Sequence, residues 1–192
     1  MRTTRITDAH AAQSRAMTPR PPADAGGAEA LVRAAAAGDR ASFAALYERF
    51  ASTVHGILLA HGRTEDAADG VQEVFLRALD RLHTLRDAAA FPGWLAAIAR
   101  NHARMALRGS RRLVPLDDRI PAPERPALEA REVMDALRAL PEAYREPLVL
   151  RLVEGLSGEE IAARTGLTPG SVRVNLHRGM RLLRERLGAY DD

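Results

Sequence analysis

The 192-residue chain carries a net charge of +3 from 28 arginines and no lysine, against 25 acids, and it has no cysteine. That length allows one domain or two small ones, and the missing cysteine excludes disulfides, cysteine-ligated zinc and a thiol nucleophile. Aromatic residues make up only 4 % while alanine, leucine and arginine dominate, which favours an all-α fold. No apolar run approaches the ~20 residues of a membrane span, and the N-terminus lacks the apolar core of a secretory signal, so a cytoplasmic protein without membrane insertion is expected.

Residues 1–27 lack hydrophobic periodicity and carry Pro21-Pro22 and Gly26-Gly27, the composition of a disordered tail, in which Met17 is an alternative start. A short helix is predicted from Ala28 to Ala37, stopped by Gly38, and Asp39 is the N-cap of the next. From Arg40 to about His61, Phe43, Leu46, Tyr47, Phe50, Val54, Ile57 and Leu58 form one apolar stripe. A further helix is predicted from near Thr64, with Ala68, Val71, Val74, Phe75, Ala78 and Leu82 inward and Asp66, Asp69, Gln72, Glu73 and Asp80 outward. After a loop at about 83–90, Phe91-Pro-Gly-Trp94 opens a long helix with Trp94, Leu95, Ile98, His102 and Met105 inward and Arg100, Asn101, Arg104 and Arg108 on or near its outer face. These helices make one unit over 28–108.

Residues 109–127 hold Pro115, Pro121, Pro123 and Pro126 and read as a proline-rich, semi-rigid linker. A second unit over 128–188 begins with helices at Leu128–Leu140 and Glu142–Glu154, separated by Pro141; Pro147 belongs in the first turns of its helix or kinks it. Ser157 and Glu160 then form a capping box, and Gly166 suits a left-handed helix end. Thr168 caps a helix with Pro169 at its first position. Val172, Leu176, Leu183 and Leu187 mark the buried face of that helix, while Ser171, Arg173, Asn175, Arg178, Arg181 and Arg184 mark the other. This is a helix-turn-helix, whose second helix can enter a DNA major groove.

Charge is unevenly spread. Ala88–Leu116 holds five arginines and no acid, Ala162–Arg184 likewise, and Asp117–Glu160 between them has a net charge of −5 from eleven acids and six arginines. Two basic blocks suggest two contacts on a polyanion, with the acidic middle kept off it. Catalytic motifs are missing: there is no phosphate loop, no Gly-x-Gly-x-x-Gly, no His-Glu-x-x-His and no Gly-x-Ser-x-Gly. The six histidines have no ligand spacing, and nothing completes a site around Asp117-Asp118. No catalytic residue, metal, cofactor or small-molecule substrate is expected.

Several motifs, in order, resemble the σ70 family of RNA polymerase sigma factors, in its extracytoplasmic-function (ECF) type. They are Gly38-Asp39-x-x-x-Phe43-x-x-Leu46-Tyr47, Asp69-Gly-Val-Gln72-Glu73-Val-Phe75 (region 2.2), Phe91-x-x-Trp94-Leu-x-x-Ile98-Ala-Arg100-Asn101 (regions 2.3 to 2.4), Val114-Pro-Leu-Asp117 (linker), and Leu140-Pro-x-x-Tyr144-Arg-Glu-x-Leu-Val-Leu150 with the helix-turn-helix (region 4). The resemblance implies a promoter-specificity subunit. Asp69, Gln72 and Glu73 would dock on the β′ clamp helices of core polymerase, with the β flap a further contact. Arg86, Trp94, Arg100, Asn101, Arg104 and Arg108 would hold the melted −10 element, the loop at 83–90 receiving a flipped base. Ser171, Arg173, Val174, Asn175, His177, Arg178 and Arg181 would read the duplex −35 element. It also implies control by an anti-sigma factor released on a stress signal. Arg173-Val-Asn-Leu-His-Arg-Gly-Met180 departs from the Lys-Ser-Arg-Leu-His-Arg-Ala-Arg frequent in the family, at Val174, Asn175 and Met180. The alternative is a stand-alone helix-turn-helix regulator, which has no need of the Asp69–Phe75 and Phe91–Asn101 motifs.

Overall fold

A computed structural model describes residues 25–110 and 125–188; residues 1–24, residues 111–124 with the Val114–Asp117 motif, and the last four residues lie outside the described residues. Residues 25–27, expected in the disordered tail, and 109–110 and 125–127, expected in the linker, are helical. The described residues form helices α1 (Ala25–Ala36), α2 (Arg40–His61), α3 (Ala67–Arg81), α4 (Phe91–Ser110), α5 (Arg125–Arg138), α6 (Glu142–Leu152), α7 (Gly158–Thr165) and α8 (Pro169–Gly188), with no strand among them. The punctuation read from the sequence acts as expected. Asp39 accepts hydrogen bonds from the Ala41 and Ser42 backbones at the start of α2. Ser157 and Glu160 bond reciprocally at 2.9 and 3.1 Å, and Thr168 Oγ1 accepts from the Ser171 backbone at 3.2 Å.

Phase differs from the prediction in α3. Thr64–Asp66 make a turn, the helix starts at Ala67, and Ala67 with Gly70 faces inward in place of the exposed Ala68. The cause is close approach: a β-carbon at Gly70 would lie 3.0 Å from Leu58 Cδ1 and 3.2 Å from His102 Nε2. Met105, expected inward, is 56 % exposed near the end of α4, while Ala99 and Ala103 fill the contact. The loop at 83–90 contains two 3-10 turns, Leu82–Thr84 and Ala88–Ala90.

Phe50, Leu46, Val54, Ile57, Val74, Phe75, Phe91 and Leu95 centre the first unit. Phe50 meets Phe91 edge-on at 5.4 Å and Phe43 meets Phe75 at 6.2 Å, pairs worth about 0.5–1.5 kcal/mol each beyond their burial. The same apolar cluster continues through Leu137, Leu140, Leu148 and Val149 of the second unit, so the two units share a core across α2 and α6. Gly56 on α2 makes room for this, since a β-carbon there would meet Leu150 Cδ2 at 2.6 Å. A smaller cluster of Leu150, Leu156, Ile161, Ala162 and Val172 holds the helix-turn-helix.

Polar groups bind the units as well. The last carbonyls of a helix lack partners within it. In α2 these are met from the second unit: Arg138 donates to the Leu59 carbonyl at 3.4 Å, and Arg145 to the Ala60 carbonyl at 3.4 Å. Arg164, part of the second basic block, is only 3 % exposed. It points inward, donates to the Arg49 carbonyl at 3.2 Å and pairs with Glu160.

Candidate nucleic-acid interface

Three charged faces emerge. The first is the outer face of α3, where Asp69, Gln72 and Glu73 stand exposed together. Glu73 takes a bond from Arg77 at 3.4 Å and lies 3.7 Å from His102 Nδ1. Burial, followed by the Arg77 charge and against Glu73, lowers the pKa of His102, so its ring is biased toward neutrality and adds no positive charge to this acidic face.

The second face is α4, and here the expected outward arginines are engaged. Arg100 makes a fork with Glu146 of α6, Nε to Oε2 at 2.7 Å and Nη2 to Oε1 at 2.8 Å. One turn on, Arg104 pairs with Glu142. The two helices thus carry matching i, i+4 pairs run in opposite directions. His61 Nε2 donates to Glu146 Oε2 at 2.8 Å from the end of α2. Glu146 is 5 % exposed. Burial is the largest influence on it and acts upward, but the hydrogen bonds and charges of Arg100 and His61 together bring its pKa down to about 2. Glu142 is lowered chiefly by its bond from Arg104. A buried carboxylate held by a bidentate arginine and an imidazole is satisfied on both oxygens.

Asn101, Arg108 and Arg86, the last on the loop between the 3-10 turns, remain exposed. Trp94 is half-buried against Phe91 at 5.9 Å. With Leu85, Ala89, Ala90, Pro92 and Gly93 it lines a cavity of about 440 Å³ under that loop, and Ala163 and Gly166 of the helix-turn-helix close its far side. Gly166 has φ +77°, and a β-carbon there would sit 3.0 Å from Gly93 Cα. The turn glycine therefore serves both the helix end and the contact between units.

The third face is α8. Ser171, Arg173, Val174, His177, Arg178 and Arg181 are exposed on it, and Val172, Gly179 and Leu183 are buried behind. Arg181 pairs with Glu185 at 2.7 Å, while no carboxylate among the described residues holds Arg173 or Arg178. Asn175 stands apart from these residues: half-buried, it lines a cleft of about 590 Å³ with Arg100, Glu142, Glu146 and Thr165.

The family model for Sigma-70 region 2 matches residues 46–113 and that for Sigma-70, region 4 matches residues 130–183. The RNA polymerase sigma factor CarQ of Myxococcus xanthus is 37 % identical over 164 residues, covering 80 % of this chain and 94 % of that protein. The chain belongs to the σ70 family, in its ECF type. The ECF sigma-E factor of Haemophilus influenzae is 30 % identical over 178 residues, 83 % of this chain and 94 % of its own. Among solved structures, CnrH in complex with the cytosolic domain of CnrY superposes with a TM-score of 0.61 at 26 % identity, over 85 % of this chain and 98 % of that one. The protein is thus a promoter-specificity subunit that acts with RNA polymerase core and promoter DNA, and α7–α8 are the helix-turn-helix of its region 4.

Set on regions 2 and 4, the acidic middle of the sequence has a part that its net charge did not reveal: its Glu142 and Glu146 neutralise two region 2 arginines. His61 and the two glutamates are residues that sequence reasoning missed. The i, i+4 spacing of Glu142 and Glu146 was visible, but nothing local ties it to Arg100 and Arg104. Among the described residues, no group of histidines and acids is arranged to hold a metal, and no helix is long and apolar enough to cross a membrane.

Proposed function

We propose that this ECF sigma factor, cytoplasmic and without catalysis of its own, docks on the β′ clamp helices of core polymerase through Asp69, Gln72 and Glu73. In this reading 28–108 is the polymerase and −10 unit, 109–127 the linker and 128–188 the −35 unit. Arg86, Trp94, Arg100, Asn101, Arg104 and Arg108 line the melted −10 strand, as a basic groove with stacking surfaces does. The α8 face of Ser171, Arg173, Val174, His177, Arg178 and Arg181 enters the −35 major groove; Asn175 joins once region 4 leaves region 2. That departure also frees Arg100 and Arg104 from their carboxylates. A protein that holds the two regions together, an anti-sigma factor, would silence this chain until a stress signal removes it; CnrH, solved with the cytosolic domain of CnrY, motivates that reading.

The observation that carries the proposal is the surface charge: an acidic α3 face and an arginine α8 face both stand open on one fold. Purified protein is expected to co-elute with core polymerase and to support run-off transcription from a cognate promoter. Gln72→Ala with Glu73→Ala should abolish both while the helical circular dichroism stays intact. Unchanged co-elution by that variant would sink the assignment of α3.

A further inference from the structure

Resting on the reading of α8 as the −35 reader, we infer that Val174 selects a thymine in that element by packing on its C5-methyl group. Val174 is the one large apolar side chain on the outer face of α8, 41 % exposed, and with Arg173, His177 and Arg178 it lines a shallow depression of about 330 Å³. Residues near the N-terminal end of a recognition helix are those that meet base edges, and Val174 lies in the second turn. Helical side chains lean toward the N-terminus, so the Val174 methyls project over Gly170, one turn earlier. Nothing lies within 4 Å of a β-carbon built at Gly170. The approach of a base pair to these methyls is therefore unobstructed.

The flanking chemistry fixes the occupant. Arg173 and Arg178, with no carboxylate partner among the described residues, stand on either side of Val174, which suits phosphates at the edges of a groove with an apolar contact at its floor. In the major groove only thymine presents a methyl group, and an apolar side chain is its matching partner. The other bases would press a hydrogen-bonding edge against two methyls that offer it nothing. Because a β-branched side chain in a helix is held near one rotamer, Val174 meets the groove already ordered. Arginine, serine or asparagine here would read a different edge, so this position sets specificity rather than grip.

The test uses reconstituted holoenzyme and duplex promoters randomised over the −35 element, with wild-type chain and Val174→Ala. One position should select thymine with the wild type and lose that preference with the variant, other positions holding theirs. At that position deoxyuridine, which differs from thymine by the methyl alone, should weaken wild-type binding about fourfold, the value of one buried methyl-sized group. The same exchange should leave the variant unaffected. Equal sensitivity to deoxyuridine in both proteins, or a selected pattern that does not change with residue 174, overturns the inference. No −35 selection by any protein, with −10-dependent transcription intact, would instead overturn the placement of α8 itself and take the inference with it.

Discussion

Helices α4 and α8 each present arginines on an outward face of the sequence, yet the folded chain treats them oppositely. On α4, Arg100 and Arg104 are met by Glu146 and Glu142 across the boundary between regions. On α8, Arg173 and Arg178 face solvent. The difference lies in what each helix packs against. The α6 helix reaches α4 through two carboxylates one turn apart, Glu142 and Glu146, which meet Arg104 and Arg100, whereas α8 gives α6 only its apolar side, through Gly179 against Leu148 and Tyr144. A count of arginines along a helix therefore reports charge, not availability.

The largest expected effect breaks the covered face. Arg100→Ala leaves Glu146 buried with only His61, and the unfolding free energy from urea titration should fall by about 3 kcal/mol. Arg173→Ala should move it by less than about 0.5 kcal/mol. Similar losses for the two would erase the contrast between the faces.

Acid should release the same contact. The folded pKa of Glu146 lies near 2, below its ordinary 4.5. Its contribution is therefore complete above about 4.5 and drains as the pH falls through about 2, amounting to about 3 kcal/mol. Glu146→Gln should lack this component, so the stability difference between wild type and variant should narrow across that window. Parallel pH curves for the two proteins would show that Glu146 does not hold the regions together.

A smaller effect is expected at the turn that seats region 4 on region 2. Gly166→Ala should cost about 1–2 kcal/mol for its left-handed backbone and more for the clash with Gly93. Gly155, at φ +69° with nothing near a β-carbon, supplies the comparison, since Gly155→Ala carries the backbone cost alone. Thermal melts in which Gly166→Ala is no worse than Gly155→Ala would mean that the turn gives way at no cost.

The smallest effect concerns the open face. Arg178→Ala should leave stability unchanged and reduce the slope of log binding constant against log salt by about 1 for holoenzyme on promoter duplex. An unchanged slope would remove Arg178 from the phosphate contacts.

Most of the helix boundaries were legible because they are local. Asp39, Ser157 with Glu160, Gly166 and Thr168-Pro169 each satisfy or release backbone groups within a few residues, and those signals survive in any packing. The faces of α3, and the exposed arginines of α8, followed from periodicity for the same reason, with a slip at Ala68 where close approach at Gly70 chose the phase. The motifs that mark σ70 regions 2 and 4 were legible too, since their order along the chain carries the resemblance.

Only the tertiary structure decided which charges are free. Arg100 and Glu146 stand 46 residues apart, and Arg164 and the Arg49 carbonyl 115 apart. Pairings at such separations depend on how two helical units meet, and that is set by Gly56 admitting Leu150, by Leu137 and Leu148 joining the region 2 core, and by Gly166 resting on Gly93. Sequence periodicity marks a face as polar; the neighbouring helix determines whether that face is open to DNA or already neutralised.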